Sequence, residues 1–509
     1  MSFQRSAGIL LHPTSLPGYF AIGELGSDAY YFIDFLSHSG QTLWQVFPLG
    51  PTGYGDSPYQ CFSAFAGNPL LISLEFLIKE GLLTEDECNR VKSFDKHTID
   101  YGTVIKSKSE CLQKAFEKYQ SKLKNDKEFK AFCKENEYWL NDYSLFMAVK
   151  NFHGGVSWTN WSEDIAFRID GAVEKWTKKL KTEIDYQKFL QFKFNEHWQN
   201  VKKYAHEKGI KIIGDMPIFI AYDSADLWAN RKLFTVDDAG KLKTVAGVPP
   251  DYFSPTGQLW GNPLYRWDEM EKDDFAWWRS RFSKLYELVD VIRIDHFRGF
   301  EAFWEIPGNA PTAQTGKWVK APGRKLFKSI KKHLGDVPII AEDLGVITRE
   351  VEELRDAFNF PGIKIMQFAF GDSGEKKFLP HNYIPNCVVH TGSHDNDTTR
   401  GFFDKEKILQ SGIYEAAQEY LGYYGDDICS QLIRTAYASV ANLVVIPMQD
   451  ILGLDSFARM NFPGKLGGNW AWRFSWDQIH PKIPEQYKRM CEIYERPKKI
   501  VKQMDSELL

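Results

Sequence analysis

Eight short apolar runs, each closed by polar, Gly or Pro residues, punctuate the chain: Gly8–Leu11, Thr42–Pro48, Ile210–Met216, Val291–Ile294, Val337–Ala341, Ile363–Phe370, Cys387–Thr391 and Leu443–Met448. Their apolar content and short length suit parallel strands buried on both faces. Helical patterns fill most of the intervals, as in Thr348–Phe358, Glu415–Tyr424 and Ile428–Ser439. Seven or nine runs could also be accepted, but eight strands alternating with helices predict an α/β fold of the (β/α)8 barrel type.

The intervals are uneven. About 160 residues separate the second run from the third, and about 75 the third from the fourth, far more than a βα unit needs. The first interval includes a charged, helix-patterned region from about Lys106 to Lys150 with few Gly or Pro. It predicts a helical insertion over about 55–205. The second, about 220–290, predicts a further inserted, mainly helical subdomain. It includes a rim or lid loop within Ala246–Leu264, where Pro249-Pro250 and several Gly punctuate an aromatic stretch. Residues 1–509 then form one catalytic barrel with two insertions, closed by a charged helix within Gln478–Leu509.

Charge narrows the partners. With 63 basic and 67 acidic side chains the net charge is −4, and no basic block appears, so nucleic acid is not an expected partner. No apolar run approaches the ~20 residues that span a membrane. Met1–Gly8 carries no cationic segment followed by an apolar stretch, so the expected address is the cytoplasm. The seven cysteines are odd in number and widely spaced, which predicts reduced thiols rather than a disulfide framework or a metal knuckle. Aromatics reach 15%, and many sit beside Gly, Pro and Asn, as in Gly53-Tyr54-Gly55, Ser57-Pro58-Tyr59 and Gln258–Asn262. Rings in such loops either pin the loop by packing or offer flat faces to sugar rings.

In a barrel of this type the chemistry sits at the C-terminal ends of the strands. The fourth run ends in Arg293-Ile294-Asp295-His296-Phe297, the fifth in Ala341-Glu342-Asp343-Leu344-Gly345, and the seventh in Gly392-Ser393-His394-Asp395-Asn396-Asp397. The third ends in Gly214-Asp215-Met216-Pro217. Buried carboxylates are costly unless paired or used. Any one of them could cap a helix or pair with a base, and Arg293, two positions before Asp295, is placed for such a pair. Three at strand ends four, five and seven point instead to glycosidic-bond chemistry. There one carboxylate attacks the anomeric carbon, another protonates the leaving oxygen, and a third steadies the cationic transition state.

These three motifs resemble the catalytic motifs of the α-amylase clan. The finer match is to the 4-α-glucanotransferases of glycoside hydrolase family 77, the amylomaltases or disproportionating enzymes. Gly50–Gln60 resembles that family's substrate loop. Pro249–Ser254 followed by Gly257–Pro263 resembles its rim loop. The resemblance runs from about Gly8 to Trp472. It implies Asp295 as nucleophile, Glu342 as general acid/base and Asp395 as transition-state stabiliser. Arg293 would position Asp295, His394 would bond a sugar hydroxyl, and Tyr59 would stack on the sugar before the cut bond. Asp251 would contact the acceptor, with Tyr252, Phe253 and Trp260 lining the glucan path. Ser57 and Asn469 would bind substrate, and Tyr54 is a candidate for a second glucan site.

The implied partners are maltooligosaccharides, amylose or other α-1,4-glucans, and the implied reaction moves a glucan segment to the 4-hydroxyl of an acceptor. Plainer readings stand beside these. Tyr59 also reads as a packed turn aromatic after Pro58, and His296 and His394 as core histidines. Asp215 and Asp343 read as structural neighbours or helix caps. His12, His296, His390 and His394 lack HxH or HExxH spacing, so no metal is expected. No Gly-rich phosphate loop follows a strand, so no cofactor is expected either. A hydrolase of the same clan is the closest alternative function, and a non-catalytic glucan-binding barrel the more distant one.

Overall fold

The computed structural model describes residues 3–91, 95–250, 254–371, 374–465 and 467–496. Eight parallel strands close into a barrel: Ser6–Leu10, Leu43–Gln45, Lys211–Met216, Val291–Ile294, Ile339–Ala341, Gly362–Ile365, Cys387–His390 and Leu443–Pro447. They follow one another round the ring, and the first pairs with the eighth (Ser6 opposite Leu443) to close it. Each falls on one of the eight apolar runs, and nearly every strand residue is buried. The first two strands approach closely at Gly8, where a Cβ would lie 2.4 Å from Leu43, so only glycine fits. The sixth run yields a shorter strand than its apolar length suggests. From Met366 the chain turns into a 3-10 helix, and Gln367 donates its N–H to the Thr391 carbonyl.

Between the second and third strands the chain is mostly helical. Tyr101–Tyr119, Lys127–Glu135, Glu137–Phe152 and Ala172–Lys179 precede the long helix Lys181–Glu207. Asp100 and Asp126 cap the first two through their side chains. The long helix buries Phe189, Leu190, Phe194, Trp198 and Val201, and Trp198 donates its indole N–H to the Leu288 carbonyl. This periodic apolar face brings the chain back to the third barrel strand.

The interval after the third strand departs from the mainly helical expectation. It holds Ala225–Ala229, Trp267–Glu271 and Ala276–Leu288, but also strands Thr244–Val248 and Gln258–Pro263. These join Ala302–Pro307 and Lys317–Lys320 in a four-stranded antiparallel sheet. The rim stretch is therefore a β-hairpin whose tip includes Pro249-Pro250, with its other partner strands supplied from beyond the fourth barrel strand. The closing helix spans Ile483–Ile493. Just beyond it, buried Arg496 donates to the carbonyls of Ser6, Tyr437, Ala441 and Asn442, tying the first and eighth strands together. Among the described residues no helix is long and apolar enough to cross a membrane.

Candidate active site

The fourth strand builds the centre. Asp215 on the third strand stands opposite Arg293 on the fourth, so their side chains emerge on the same side of the sheet. Arg293 Nη1 lies 2.6 Å from Asp215 Oδ2 and 3.1 Å from Asp295 Oδ1. One buried guanidinium thus bridges two carboxylates, as the two-residue spacing of Arg293 and Asp295 anticipated. Tyr59 completes the group by donating its hydroxyl to Asp215 Oδ2 at 2.7 Å. Burial pushes the Asp215 carboxyl above its usual range, with Arg293 opposing. Arg293 is held well above the usual arginine range by Asp215 and Asp295, against a desolvation penalty that is the largest single influence. Asp215, which the sequence suggested only as a structural neighbour or cap, is the anchor of both Arg293 and Tyr59.

The fifth strand delivers Glu342 beside this group. His296 adopts a left-handed backbone, φ 50°, unusual outside glycine. That turn aims its N–H at Glu342 Oε2, 2.6 Å away, while the Phe297 N–H bonds the Glu342 carbonyl. Such backbone strain costs about 1–3 kcal/mol and persists where surrounding structure over-determines it. Burial first, and then the negative charge of Asp295, push the Glu342 carboxyl up to about 8. Burial pushes His296 down to about 4, so it stays neutral at physiological pH. Trp260, on the rim hairpin, packs edge-on against His296 at 4.9 Å between ring centroids. This brings the hairpin to the loop that follows the fourth strand.

The seventh strand presents Asp395, half exposed. Asn461 Nδ2 donates to its Oδ1 at 2.6 Å, and His394 Nε2 lies 3.5 Å from the same oxygen. Arg459 fixes the loop through the Asp395 carbonyl. His394 stacks on Tyr59 at 5.0 Å and 16°, and Phe47 and Trp470 pack around it. The structure therefore assembles Tyr59, Asp215, Arg293, Asp295, His296, Glu342, His394 and Asp395 at one mouth. Asn461 and Trp470 were not foreseen. They lie in a Gly-rich stretch whose spacing carries no periodic signal.

Other foreseen positions fall elsewhere. Ser57 Oγ accepts the Tyr59 N–H at 3.2 Å and shapes the turn that aims Tyr59. Asn469 bonds Phe462 N and Lys465 O inside its own loop. Tyr54 is 74% exposed in the loop that leads to Tyr59. Asp251, Tyr252 and Phe253 lie outside the described residues. Glu80, Glu196 and His197 gather within 4.8 Å in the helical region. Lys193 sits between the two acids at 2.6 and 2.7 Å and supplies the cation they share.

A (β/α)8 barrel whose mouth gathers two carboxylates on one guanidinium, with a further carboxyl pushed up to about 8 by burial, fits an enzyme of glycosidic-bond chemistry. Similarity to known proteins narrows the class. A family model described as 4-alpha-glucanotransferase matches residues 11–478. A 4-alpha-glucanotransferase of Synechocystis sp. is 48% identical over 503 residues, covering 97% of this chain and 98% of its own length. One of Thermus thermophilus is 47% identical over 506 residues, covering 97% and 100%. An amylomaltase from Streptococcus agalactiae, solved with acarbose, superposes with a TM-score of 0.93 at 39% identity over 97% of this chain and 100% of its own. The chain belongs to the 4-α-glucanotransferase family, and its reaction is the transfer of an α-1,4-glucan segment to an acceptor glucan or glucose.

Proposed function

We propose that Asp295, Glu342 and Asp395 divide the transfer among them, with maltooligosaccharides, amylose and related α-1,4-glucans as donors and acceptors. The Asp295 carboxylate attacks the anomeric carbon. The bond from that carbon to the departing 4-oxygen breaks, and the Glu342 proton moves to this oxygen. The segment remains as a glycosyl ester on Asp295. An acceptor 4-hydroxyl then gives its proton to Glu342 and attacks the same carbon, which releases Asp295 and retains the α configuration. Asp395, backed by Asn461, faces the positive charge that develops on the ring. Arg293 orients Asp295, and His394 and Tyr59 form the wall for the sugar before the cut bond. Trp260, with Asp251, Tyr252 and Phe253, takes the acceptor side. Ser57 serves by aiming Tyr59, and Asn469 by shaping its loop. Tyr54 is an outlying glucan contact. The free thiols of all seven cysteines fit a reducing, cytoplasmic setting.

The observation that carries this division is the split environment of the two central carboxyls. Asp295 faces the Arg293 guanidinium, whereas Glu342 is desolvated beside Asp295 and kept protonated. A pH profile of definite sign is expected. Maltotriose turnover should hold through neutrality and fall as pH rises through about 8, where Glu342 loses the proton it must donate. Release of fluoride from α-maltosyl fluoride, whose leaving group needs no protonation, should show no such alkaline limb in its first turnover. An identical limb for both donors would remove Glu342 as the acid.

Incubation with maltotriose alone tests the partition between transfer and hydrolysis. Glucose and longer oligosaccharides should accumulate while total reducing ends stay constant. A steady rise in reducing ends would instead mean that water is the main acceptor.

A further inference from the structure

The motif that supplies Arg293 and Asp295 contains a second arginine without a part in the steps above. Arg298 lies three residues beyond Asp295 and is 5% exposed. Among the described residues it forms no ion pair. Its Nη1 donates to the Val346 carbonyl, and its guanidinium lies over the Trp318 ring at 3.6 Å from the centroid. Among the described residues its buried Nε has no hydrogen-bond partner. Burial pulls its pKa below the usual arginine value, with only Glu301 opposing. Burying a guanidinium without a directly paired carboxylate is unfavourable, and the carbonyl, the aromatic face and the charge of Glu301 offset that cost here.

Arg298 grips the segment that begins two residues after Glu342. Residues 344–347 are exposed or half-buried, Val346 is 55% exposed, and Gly345 takes a φ of 80°. Among the described residues, the bond from Arg298 is the sole hydrogen bond made by any backbone group of 344–347. One charge-assisted bond therefore fixes the loop after the fifth strand to the loop after the fourth. The anchor continues outward. Trp318 stands opposite Trp304 across the antiparallel sheet, and Trp304 stands opposite Gly247 on the rim hairpin.

Chemistry decides the side of the cleft. A residue that protonates the leaving oxygen and later deprotonates the acceptor faces the leaving-group and acceptor side. The loop 344–347 begins two residues after Glu342, and Arg298 ties it to the loop that carries Asp295 and His296. The hairpin arrives there through Trp260 against His296, whose N–H bonds Glu342.

We propose that Arg298 is a positioning residue that locks 344–347, through Val346 and Trp318, as the acceptor-side wall, and so favours glucan over water in the second half of the reaction. The proposal rests on the assignment of Glu342 as acid/base. A fixed wall binds and orients an incoming sugar, whereas water needs no wall to reach the glycosyl ester. Loosening the wall should weaken the acceptor's advantage and leave the first half-reaction in place.

The test uses the full-length enzyme, α-maltosyl fluoride as donor and glucose as acceptor, with Arg298→Met, Arg298→Lys, Trp318→Leu and Glu342→Gln beside wild type. In Arg298→Met the first-turnover release of fluoride should stay within about twofold of wild type, while the transfer-to-hydrolysis ratio falls about tenfold, the effect of one charge-assisted bond. The KM for glucose should rise with it. Arg298→Lys should recover only part of the ratio, because a lysine keeps the charge but not the flat stacking surface. Trp318→Leu should shift the ratio in the same direction by about threefold. A lowered melting temperature with an unchanged ratio would reduce Arg298 to a structural role and overturn the proposal. So would a loss of the fluoride burst in step with transfer. Glu342→Gln separates the two ideas, since it should keep the burst and lose maltotriose turnover. Full maltotriose turnover in that variant would sink the acid/base assignment on its own, whatever Arg298 does.

Discussion

Asp295→Asn should lose transfer between maltooligosaccharides by about 10⁴-fold or more, the consequence of deleting the group that forms the covalent intermediate. The substitution keeps the size of the side chain and an oxygen that can accept from Arg293. Arg293 also keeps its 2.6 Å contact with Asp215, so no buried charge is orphaned. Stability should therefore change by about 1 kcal/mol or less. Maltooligosaccharides should still bind, which calorimetry can measure on the inactive protein. A further consequence separates this variant from a misfolded one. Part of what pushes Glu342 up to about 8 is the negative charge of Asp295, and burial, the larger cause, remains. The Glu342 carboxyl should thus titrate lower than in the wild type, yet above an ordinary glutamate, as read by carboxyl NMR of a labelled sample. Turnover within tenfold of wild type would exclude Asp295 as nucleophile.

The barrel was legible because its strands are buried on both faces. Their short, apolar runs stand out from the amphipathic helices without any knowledge of contacts. The carboxylates were legible for a related reason, since a charge at the end of an apolar run needs a use. Partnerships set by register were not. Arg293 and Asp215 are far apart in sequence, and their bond exists because the third and fourth strands align those two positions. The left-handed turn at His296 was equally hidden. Nothing in its residue type requires φ 50°, and the turn arises where the chain must present an N–H to Glu342.

The antiparallel sheet escaped notice because the chain interrupts it with the fourth barrel strand, so no contiguous pattern of alternation builds up. The site's outer contacts divide along the same line. Tyr59 follows Pro58 in a turn and Trp260 stands on the hairpin strand Gln258–Pro263, both in stretches marked by Pro, Gly and aromatic residues, and both reach the mouth. Asn461 does as well, from a Pro- and Gly-containing loop in which nothing about the residue type marks a partner for Asp395.

Arg293→Met should be the most destabilising change at the site, by about 3–5 kcal/mol, because it strands the buried Asp215 carboxylate with only the Tyr59 hydroxyl as partner. The penalty should depend on pH with a definite sign. Without the guanidinium, burial and the nearby Asp295 charge act on Asp215 against only His394 and the Tyr59 hydroxyl, so its folded-state pKa rises further above its unfolded value. A carboxyl raised in this way contributes fully below its unfolded pKa and loses that contribution as pH rises through the folded value. The deficit of the variant should consequently be smaller at pH 5 than at pH 8 in urea titrations. Adding Asp215→Asn removes the stranded charge while leaving an acceptor for Tyr59, so the double variant should recover most of the stability. Activity should not return with it. Asp295 would still lack the contact at 3.1 Å that orients it, and transfer should stay about 10²- to 10³-fold below wild type. A double variant as unstable as the single one would show that Arg293 matters through packing rather than charge. A double variant with restored activity would show that Asp295 needs no guanidinium to attack.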